Sequence, residues 1–344
     1  MKKATILGIV VVPLFVLSGC NKTAEPVGAI EMPSNEAHII RVSFNQPKSN
    51  PQYIALEQMG KRLQERTNGT YELSIYPNEL LGAQRESLEM VQIGAIDMAV
   101  VVGSLMENFN DDFAVFNLPY VFQSKEHQMD VINDKTIVGD LYTSLEEDGL
   151  SVLGAFHGGV RNVYNKHRPV EEPSDLTGLK IRIIESDTNI QMMSHMGGTG
   201  TPMGQGEVYT AIQSGVLDGA ENNELIYANL SHVEIAPYYS YTQHLMVPDY
   251  IVAHAGLLEN MTSEHREIFL EEIKHAIDTQ VALFDKELEQ AISTAKEAGA
   301  IFNDVDVAAF QEAVQPVIDR HLASPEAKAL YQTVQKAANK EGSF

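Results

Sequence analysis

The sequence predicts an α/β fold of two lobes, with mixed sheets, helices on both sheet faces and a cleft between the lobes. Residues 39–75 read as strand, helix and strand. Residues 176–223 read as strand, helix, strand, helix and strand, with polar residues where the elements join. This alternation of apolar periods is typical of sheets with helical crossovers.

An internal repeat gives the third reason to expect two similar lobes. The pattern Gln84-x-Glu86, followed by Gln92-x-Gly94, occurs again as Gln205-x-Glu207, followed by Gln213-x-Gly215, at a constant offset. Each copy describes an amphipathic helix that ends at a glycine before an apolar strand. A generic joint between a helix and a strand is the alternative explanation for the match.

The elements in chain order allow the two lobes to be assigned. We expect the first lobe to comprise residues 38–159 and 248–287, and the second to comprise residues 160–247 and 288–344. The chain leaves the first sheet at His157-Gly158-Gly159-Val160-Arg161, since paired glycines permit a sharp change of direction. A helical pattern over residues 263–298 would be about 50 Å long, enough to cross both lobes.

The N-terminus has the order of a secretory leader, which is basic, then apolar, then small. Lys2 and Lys3 precede an apolar run, which ends at Leu17-Ser18-Gly19-Cys20. This ending resembles the lipobox of bacterial lipoproteins, so we expect a signal peptide over residues 1–19 and lipidation of Cys20. A plain leader is the alternative. Residues 20–37 are rich in Pro, Ala, Glu and Ser and predict a flexible tether.

Composition limits the partners of the chain. The 344 residues are 44% hydrophobic and contain 47 acidic against 24 basic residues, for a formal net charge of −23. This charge argues against nucleic acid, which requires basic surface. No second apolar segment of membrane length follows the leader, so we expect a soluble body, and we expect it to be monomeric.

Two arginines and one amide are candidates for binding an organic anion. Arg182 lies in an apolar strand, Arg161 follows the paired glycines, and Asn222 ends the strand in Asp218-Gly219-Ala220-Glu221-Asn222. A charge within an apolar strand is costly unless it is paired, and a guanidinium can hold both oxygens of a carboxylate. The alternatives are a structural ion pair for the arginines and a plain turn at Asn222.

Motifs of catalysis and of metal binding are missing from the sequence. It contains neither a Gly-x-Ser-x-Gly motif nor a His-Glu-x-x-His motif, and its glycine-rich segment at Gly197–Gly200 lacks the spacing of a phosphate loop. We therefore expect no catalytic residue, no metal site and no cofactor.

Several motifs together resemble one family of binding proteins. They are Tyr76-Pro77, Asn117-Leu118-Pro119-Tyr120, Gly178-Leu179-Lys180-Ile181-Arg182, Pro202-Met203 and Asp218-Gly219-Ala220-Glu221-Asn222. From about Ile39 to its end, the chain resembles the substrate-binding proteins of TRAP (tripartite ATP-independent periplasmic) transporters. The resemblance implies a two-lobed periplasmic binding protein that closes on an organic acid and delivers it to a membrane permease.

The resemblance also implies roles for individual residues. Arg182 is expected to bridge to the ligand carboxylate, Arg161 to give a second cationic contact, and Asn222 to supply an amide. Asn45, Gln84, Gln205 and Asp249 are expected to contact the rest of the ligand.

The resemblance also implies a class of ligand, because several residues of this chain differ from those of other branches of the family. Gln205 and Asn223, together with Thr242-Gln243-His244 and Val247-Pro248-Asp249, resemble the branch that binds sugar acids such as uronates. A C4-dicarboxylate receptor is the alternative. A periplasmic enzyme or a binding protein that serves a sensor on the same scaffold is a more distant one.

Overall fold

The computed structural model describes residues 37–338. The expected signal peptide, Cys20 and the tether up to residue 36 lie outside the described residues. None of the described helices has both the length and the apolar character needed to cross a membrane.

The strands fall close to the expected positions. They are β1 (His38–Ser43), β2 (Tyr71–Tyr76), β3 (Met98–Val102), β4 (Leu150–Phe156), β5 (Arg161–Asn165), β6 (Lys180–Ile183), β7 (Thr199–Pro202), β8 (Gly219–Asn222), β9 (Tyr238–Leu245), β10 (Asp249–His254) and β11 (Ile301–Asn303). One mixed sheet has the order β2-β1-β3-β10-β4, and a second has the order β11-β9-β5-β8-β6-β7. The predicted two-lobed α/β fold with mixed sheets is confirmed.

Helices cover both faces of each sheet. They are α1 (Pro51–Arg66), α2 (Gln84–Gln92), α3 (Lys125–Ile132), α4 (Lys135–Thr143), α5 (Asp187–His195), α6 (Val208–Ser214), α7 (Glu224–Asn229), α8 (Gly256–Glu259), α9 (Ser263–Glu297), α10 (Val307–His321) and α11 (Pro325–Ala338). Because helices cover both faces of the sheet, the side chains of β3 are buried on both sides. Ala99 and Val101 enter one core and Met98 and Val100 enter the other, which is why this strand is apolar throughout.

Two neighbouring connections, from β4 to β5 and from β9 to β10, run between the two sheets. Strand β4 of the first sheet leads into β5 of the second through Gly158 and Gly159, as the sequence predicted. A Cβ atom on Gly158 would lie 2.4 Å from the carbonyl oxygen of Val247, which belongs to the returning connection from β9 to β10. Gly159 has a φ of +80°, a conformation that favours glycine.

Helix α9 lies across both lobes, as expected. Its first half contributes Phe269 and Ile273 to the core of the five-stranded sheet, and its second half contributes Ala295 to a core of the six-stranded sheet. Between them, the buried side chain of Gln280 accepts from the backbone N–H of His157 at 3.2 Å and donates to its carbonyl oxygen at 3.0 Å. The helix is thereby fixed to the connection between the sheets.

The last helix departs from the expected division of the chain. Ala327 and Val334 of α11 pack into the core of the five-stranded sheet, although residues 288–344 were expected in the second lobe. The Nε2 atom of His127 on α3 lies 2.8 Å from the carbonyl oxygen of Val334, which satisfies a backbone group at this contact. Apolar periodicity predicts that a helix is amphipathic but not which sheet it covers. The remaining lobe boundaries stay a prediction.

Candidate functional site

A cavity of about 330 Å³ lies between the lobes and contains every side chain that the sequence singled out for ligand binding. The second lobe contributes Arg161, Arg182, Gln205 and Asn222 to its lining, and the first contributes Asn45, Gln84 and Asp249. The volume is at the lower end of the range for pockets that enclose small molecules. Whether these residues bind a ligand stays a prediction.

Arg161 is held by a carboxylate of the protein itself. Its Nε and Nη2 atoms donate to the two carboxylate oxygens of Glu221 at 2.5 and 2.8 Å, and Nη2 also donates to the Glu221 carbonyl oxygen at 2.9 Å. Burial alone raises the pKa of Glu221, but Arg161 and His244 outweigh it and lower this pKa to about 2. Arg161 therefore has the structural ion pair that the sequence left open as an alternative.

Arg182 has no such partner in the described part of the chain, although it is only 6% exposed. Its Nε donates to the carbonyl oxygen of Met203 at 2.8 Å, and Nη1 lies 3.4 Å from Oε1 of Gln205. Within residues 37–338, no carboxylate lies within salt-bridge distance of its guanidinium. Burial lowers the pKa of Arg182 from its ordinary value, a sign of a cation that lacks full compensation.

Two amides connect the arginines along the wall of the cavity. Oε1 of Gln205 accepts from Nδ2 of Asn222 at 3.3 Å, and Oδ1 of Asn222 accepts from Nη1 of Arg161 at 3.2 Å. The Nε2 atom of Gln205 is buried and donates to no described residue. A buried donor without an acceptor is costly, so Gln205 presents an unused N–H beside Arg182.

The first lobe supplies polar groups at the sheet edge where β1, β3 and β4 end and the antiparallel strand β10 begins. Oε1 of Gln84 accepts from the backbone N–H of Val102 at 2.7 Å, which fixes the side chain at the end of β3. Oδ2 of Asp249 accepts from Nε2 of Gln52 at 2.6 Å. Asn45 directly follows β1 and is half-buried. Open α/β sheets place their ligands at such strand ends.

Asn223 lies at the cavity, but its side chain has a structural role. Its Nδ2 donates to the carbonyl oxygen of Gly158 at 2.7 Å, and its Oδ1 accepts from the N–H of Ile226 at 2.9 Å. It therefore caps α7 and ties that helix to the connection between the sheets. Each atom of the Asn223 amide therefore has a partner within the protein.

Further lining residues were not singled out from the sequence, among them Gln46, Gln52 and Glu79. Gln46 follows β1 and Glu79 follows β2, so the strand-end rule would have found both. Gln52 lies in the first turn of α1, where no sequence signal distinguishes it from an ordinary helix residue.

Contacts across the mouth of the cavity join the two lobes. Oε2 of Glu79 accepts from the backbone N–H of Gly206 at 2.9 Å, and Arg85 forms an ion pair with Glu185. Burial raises the pKa of Glu79, and the Gly206 N–H and the charge of Arg182 oppose that rise. These contacts hold the lobes together over the cavity.

A family of known proteins has this architecture. Residues 42–324 match the DctP family, the bacterial extracellular solute-binding proteins of family 7. The chain belongs to this family. It is also 36% identical over 302 residues to the uncharacterized protein YiiZ of Salmonella typhimurium, a match that covers 88% of this chain and 92% of the relative.

Two solved structures of TRAP periplasmic solute-binding proteins are similar to this DctP-family chain. One, from Anaerococcus prevotii with bound D-glucuronate, is 37% identical with a TM-score of 0.86 and covers 88% of this chain and 98% of its own. The other, from Chromohalobacter salexigens with bound D-glucuronate, is 35% identical with a TM-score of 0.83, covering 87% and 99%. The chain is a solute receptor of the TRAP type, as predicted.

Proposed function

We propose that this DctP-family receptor binds a hydroxylated sugar acid, with a uronate such as D-glucuronate as the best candidate, and delivers it to a TRAP membrane permease. One observation carries the proposal: Arg182 is buried against the cavity, and no carboxylate of residues 37–338 lies within salt-bridge distance of it. A buried cation without a partner is costly, and a ligand carboxylate supplies the missing charge. The D-glucuronate bound in the two similar solved structures supports the same ligand class.

The expected binding mode assigns roles to the lining residues. The ligand carboxylate accepts from the guanidinium of Arg182 and from the unused Nε2 of Gln205. Asn222 lies next along this wall, where its amide faces the same ligand. Arg161 acts mainly by its position, since its charge is neutralised by Glu221. The ligand hydroxyls find partners in Asn45, Gln84 and Asp249, because each desolvated hydroxyl needs one.

A thermal-shift screen tests the ligand class. Uronates, aldonates and C4-dicarboxylates are added separately to the purified protein, and titration calorimetry follows for any acid that raises the melting temperature. We expect D-glucuronate or D-galacturonate to give the largest increase. If none of the organic acids raises the melting temperature, the proposal that the receptor binds an organic acid is refuted.

We propose further that the bound acid is not chemically changed. Closure of the lobes over the ligand then acts as a ligand-stabilised shift in population, as in other two-lobed receptors. Mass spectrometry of D-glucuronate after prolonged incubation with the protein should recover it intact. Conversion of the acid in proportion to protein concentration would instead indicate an enzyme.

The N-terminal proposals concern anchoring and partners. We propose that cleavage before Cys20 and lipidation of this residue hold a monomeric receptor at an extracytoplasmic membrane surface. Cys20→Ala should move the protein from the membrane fraction to the soluble fraction.

Uptake of the ligand should cease when the permease is deleted, whereas a receptor that serves a sensor would leave uptake unchanged.

A further inference from the structure

The charged groups that line the cavity are unevenly balanced. Arg161 is paired with Glu221, and Arg85 is paired with Glu185. Among the described residues, this leaves Arg182 as the one lining cation without a carboxylate partner. Carboxylates without a cationic partner at salt-bridge distance also line the cavity: Glu79, Glu86, Glu207 and Asp249. The site thus compensates one negative charge of a ligand and has no cation for a second.

Asp249 is the carboxylate best placed to act on the ligand. It begins β10, which lies between β3 and β4 in the first sheet, so its backbone is fixed on both sides. One of its oxygens, Oδ2, accepts from Gln52, while Oδ1 has no hydrogen-bond partner in the described part of the chain. Burial raises the pKa of Asp249, and the Gln52 amide and Arg161 oppose that rise.

Asp249 and Arg182 line the cavity from different sheets. Arg182 is presented by β6 of the six-stranded sheet, and Asp249 by β10 of the five-stranded sheet. An acid that binds Arg182 through its carboxylate and reaches β10 with its other end places that end beside Asp249. A hydroxyl at that end can donate to Oδ1. A second carboxylate has no proton to donate and meets a like charge in a partly desolvated site.

We propose that Asp249 is a specificity-determining residue that selects acids with a single carboxylate and rejects dicarboxylates. This inference rests on the proposed function as a sugar-acid receptor and narrows it. The charge of Asp249 separates hydroxylated monocarboxylates from dicarboxylates, which include aldarates and C4-dicarboxylates. Arg182 does not make this distinction, because its guanidinium can bind a carboxylate of either class. Rejection by an unpaired charge is an established route to specificity.

A matched pair of ligands isolates the second carboxylate. D-Gluconate and D-glucarate share one hydroxylated carbon chain and differ at the terminus, which is a CH₂OH group in the first and a carboxylate in the second. By titration calorimetry we expect the wild-type protein to bind D-glucarate at least about tenfold more weakly, the size of a modest like-charge repulsion. We expect Asp249→Asn to bind D-glucarate more tightly than the wild type does, and D-glucuronate more weakly.

The matched control is Glu86→Gln, which removes the same charge from an exposed position on the cavity rim. It should not improve D-glucarate binding. Asp249→Ser, which also removes the charge, is measured alongside Asp249→Asn, and a gain in affinity cannot result from loss of fold in either variant. Equal affinity of the wild type for D-gluconate and D-glucarate, or no gain for D-glucarate in both Asp249 variants, overturns the inference.

The same measurements distinguish failure of the proposed function from failure of the role proposed for Asp249. If the wild type binds D-glucuronate but the Asp249 variants gain nothing for D-glucarate, the receptor assignment stands and the role of Asp249 falls. If the wild type binds no sugar acid at all, both fall together. If only dicarboxylates bind, the charge argument is reversed and Asp249 does not reject them.

Discussion

The guanidinium of Arg161 lies 2.5 and 2.8 Å from the two carboxylate oxygens of Glu221, and both side chains are almost completely buried. Arg182 lines the same cavity without a carboxylate at salt-bridge distance in the described residues. Two arginines that look alike in sequence therefore have different tasks. Arg161 completes the protein's own charge balance, and we propose that Arg182 binds a charge that the ligand brings.

Replacement of Arg182 by lysine tests the second task. We expect Arg182→Lys to weaken D-glucuronate binding by well over tenfold, because an ammonium group cannot donate to two carboxylate oxygens in the planar geometry of a guanidinium. Titration calorimetry measures the change. The control is Arg168→Lys, an exposed arginine that donates to the backbone carbonyl oxygens of Asp175 and Thr177 and should retain wild-type affinity.

Stability separates the ligand role of Arg182 from a structural one. Arg182→Met should leave the free energy of unfolding of the ligand-free protein unchanged or higher, since it removes a buried charge that has no carboxylate partner among the described residues. Urea unfolding in the absence of ligand measures this. A loss of several kcal/mol would indicate that Arg182 has a structural role in the ligand-free protein.

Glu221→Gln should destabilise the protein by about 3–5 kcal/mol, because it leaves the charge of Arg161 buried without its partner. Glu207→Gln, an exposed carboxylate on the same cavity, serves as the control and should change stability by less than about 0.5 kcal/mol. Urea unfolding of both variants at neutral pH measures the difference. Equal stability of the two variants would contradict the structural role of the ion pair.

The same ion pair has a consequence at acid pH. The pKa of Glu221 is about 2 in the folded chain, below its ordinary value of 4.5. Its contribution to stability is therefore fully present above pH 4.5 and is lost as pH falls from 4.5 toward 2. Unfolding curves of Glu221→Gln should show a smaller dependence on pH in that window than curves of the wild type. An unchanged slope would count against the low pKa.

Much of the site could be predicted because strand ends converge at one edge of a sheet. Arg182, Asn222, Gln84 and Asn45 lie at or beside the ends of strands that hydrophobic periodicity reveals, and the structure brings them to one cavity. The repeated helix-to-strand pattern was also informative, since its two glutamines, Gln84 and Gln205, line that cavity from opposite lobes.

The partners of these residues could not be predicted in the same way. Glu221 reaches Arg161 because β5 and β8 are antiparallel neighbours with Val163 opposite Glu221, and strand register is not visible in a single sequence. Asn223 was expected to distinguish ligands, yet its amide is used by Gly158 and Ile226. Contacts between segments distant in the chain decide which polar groups remain for a ligand.

His157 should make stability depend on pH above the range of Glu221. Burial, with a contribution from Lys125, lowers its pKa to about 3 from 6.5, and Asp285 opposes this shift. Its contribution is therefore fully present above pH 6.5 and is lost as pH falls from 6.5 toward 3, because the unfolded chain binds the proton first. We expect His157→Asn to have a smaller loss of unfolding free energy between pH 7.5 and 5 than the wild type. His195→Asn is the control, since its imidazole is exposed in the folded chain, and a wild-type slope in His157→Asn would contradict the prediction.

The ion pair between Arg85 and Glu185 joins the lobes at the mouth of the cavity and should slow ligand release. Both side chains are about half exposed, and exposed pairs contribute roughly 0.2–1 kcal/mol, so Glu185→Gln should raise the dissociation rate of D-glucuronate by up to about fivefold. Stopped-flow displacement measures this rate, and the difference from wild type should shrink at high salt because exposed charges are screened.

Arg85 also pairs with Glu89 on its own helix, 3.4 Å away, without crossing the mouth. Glu89→Gln is therefore the matched control and should release ligand at the wild-type rate; an equal acceleration in both variants would mean that the contact between the lobes is not what retains the ligand.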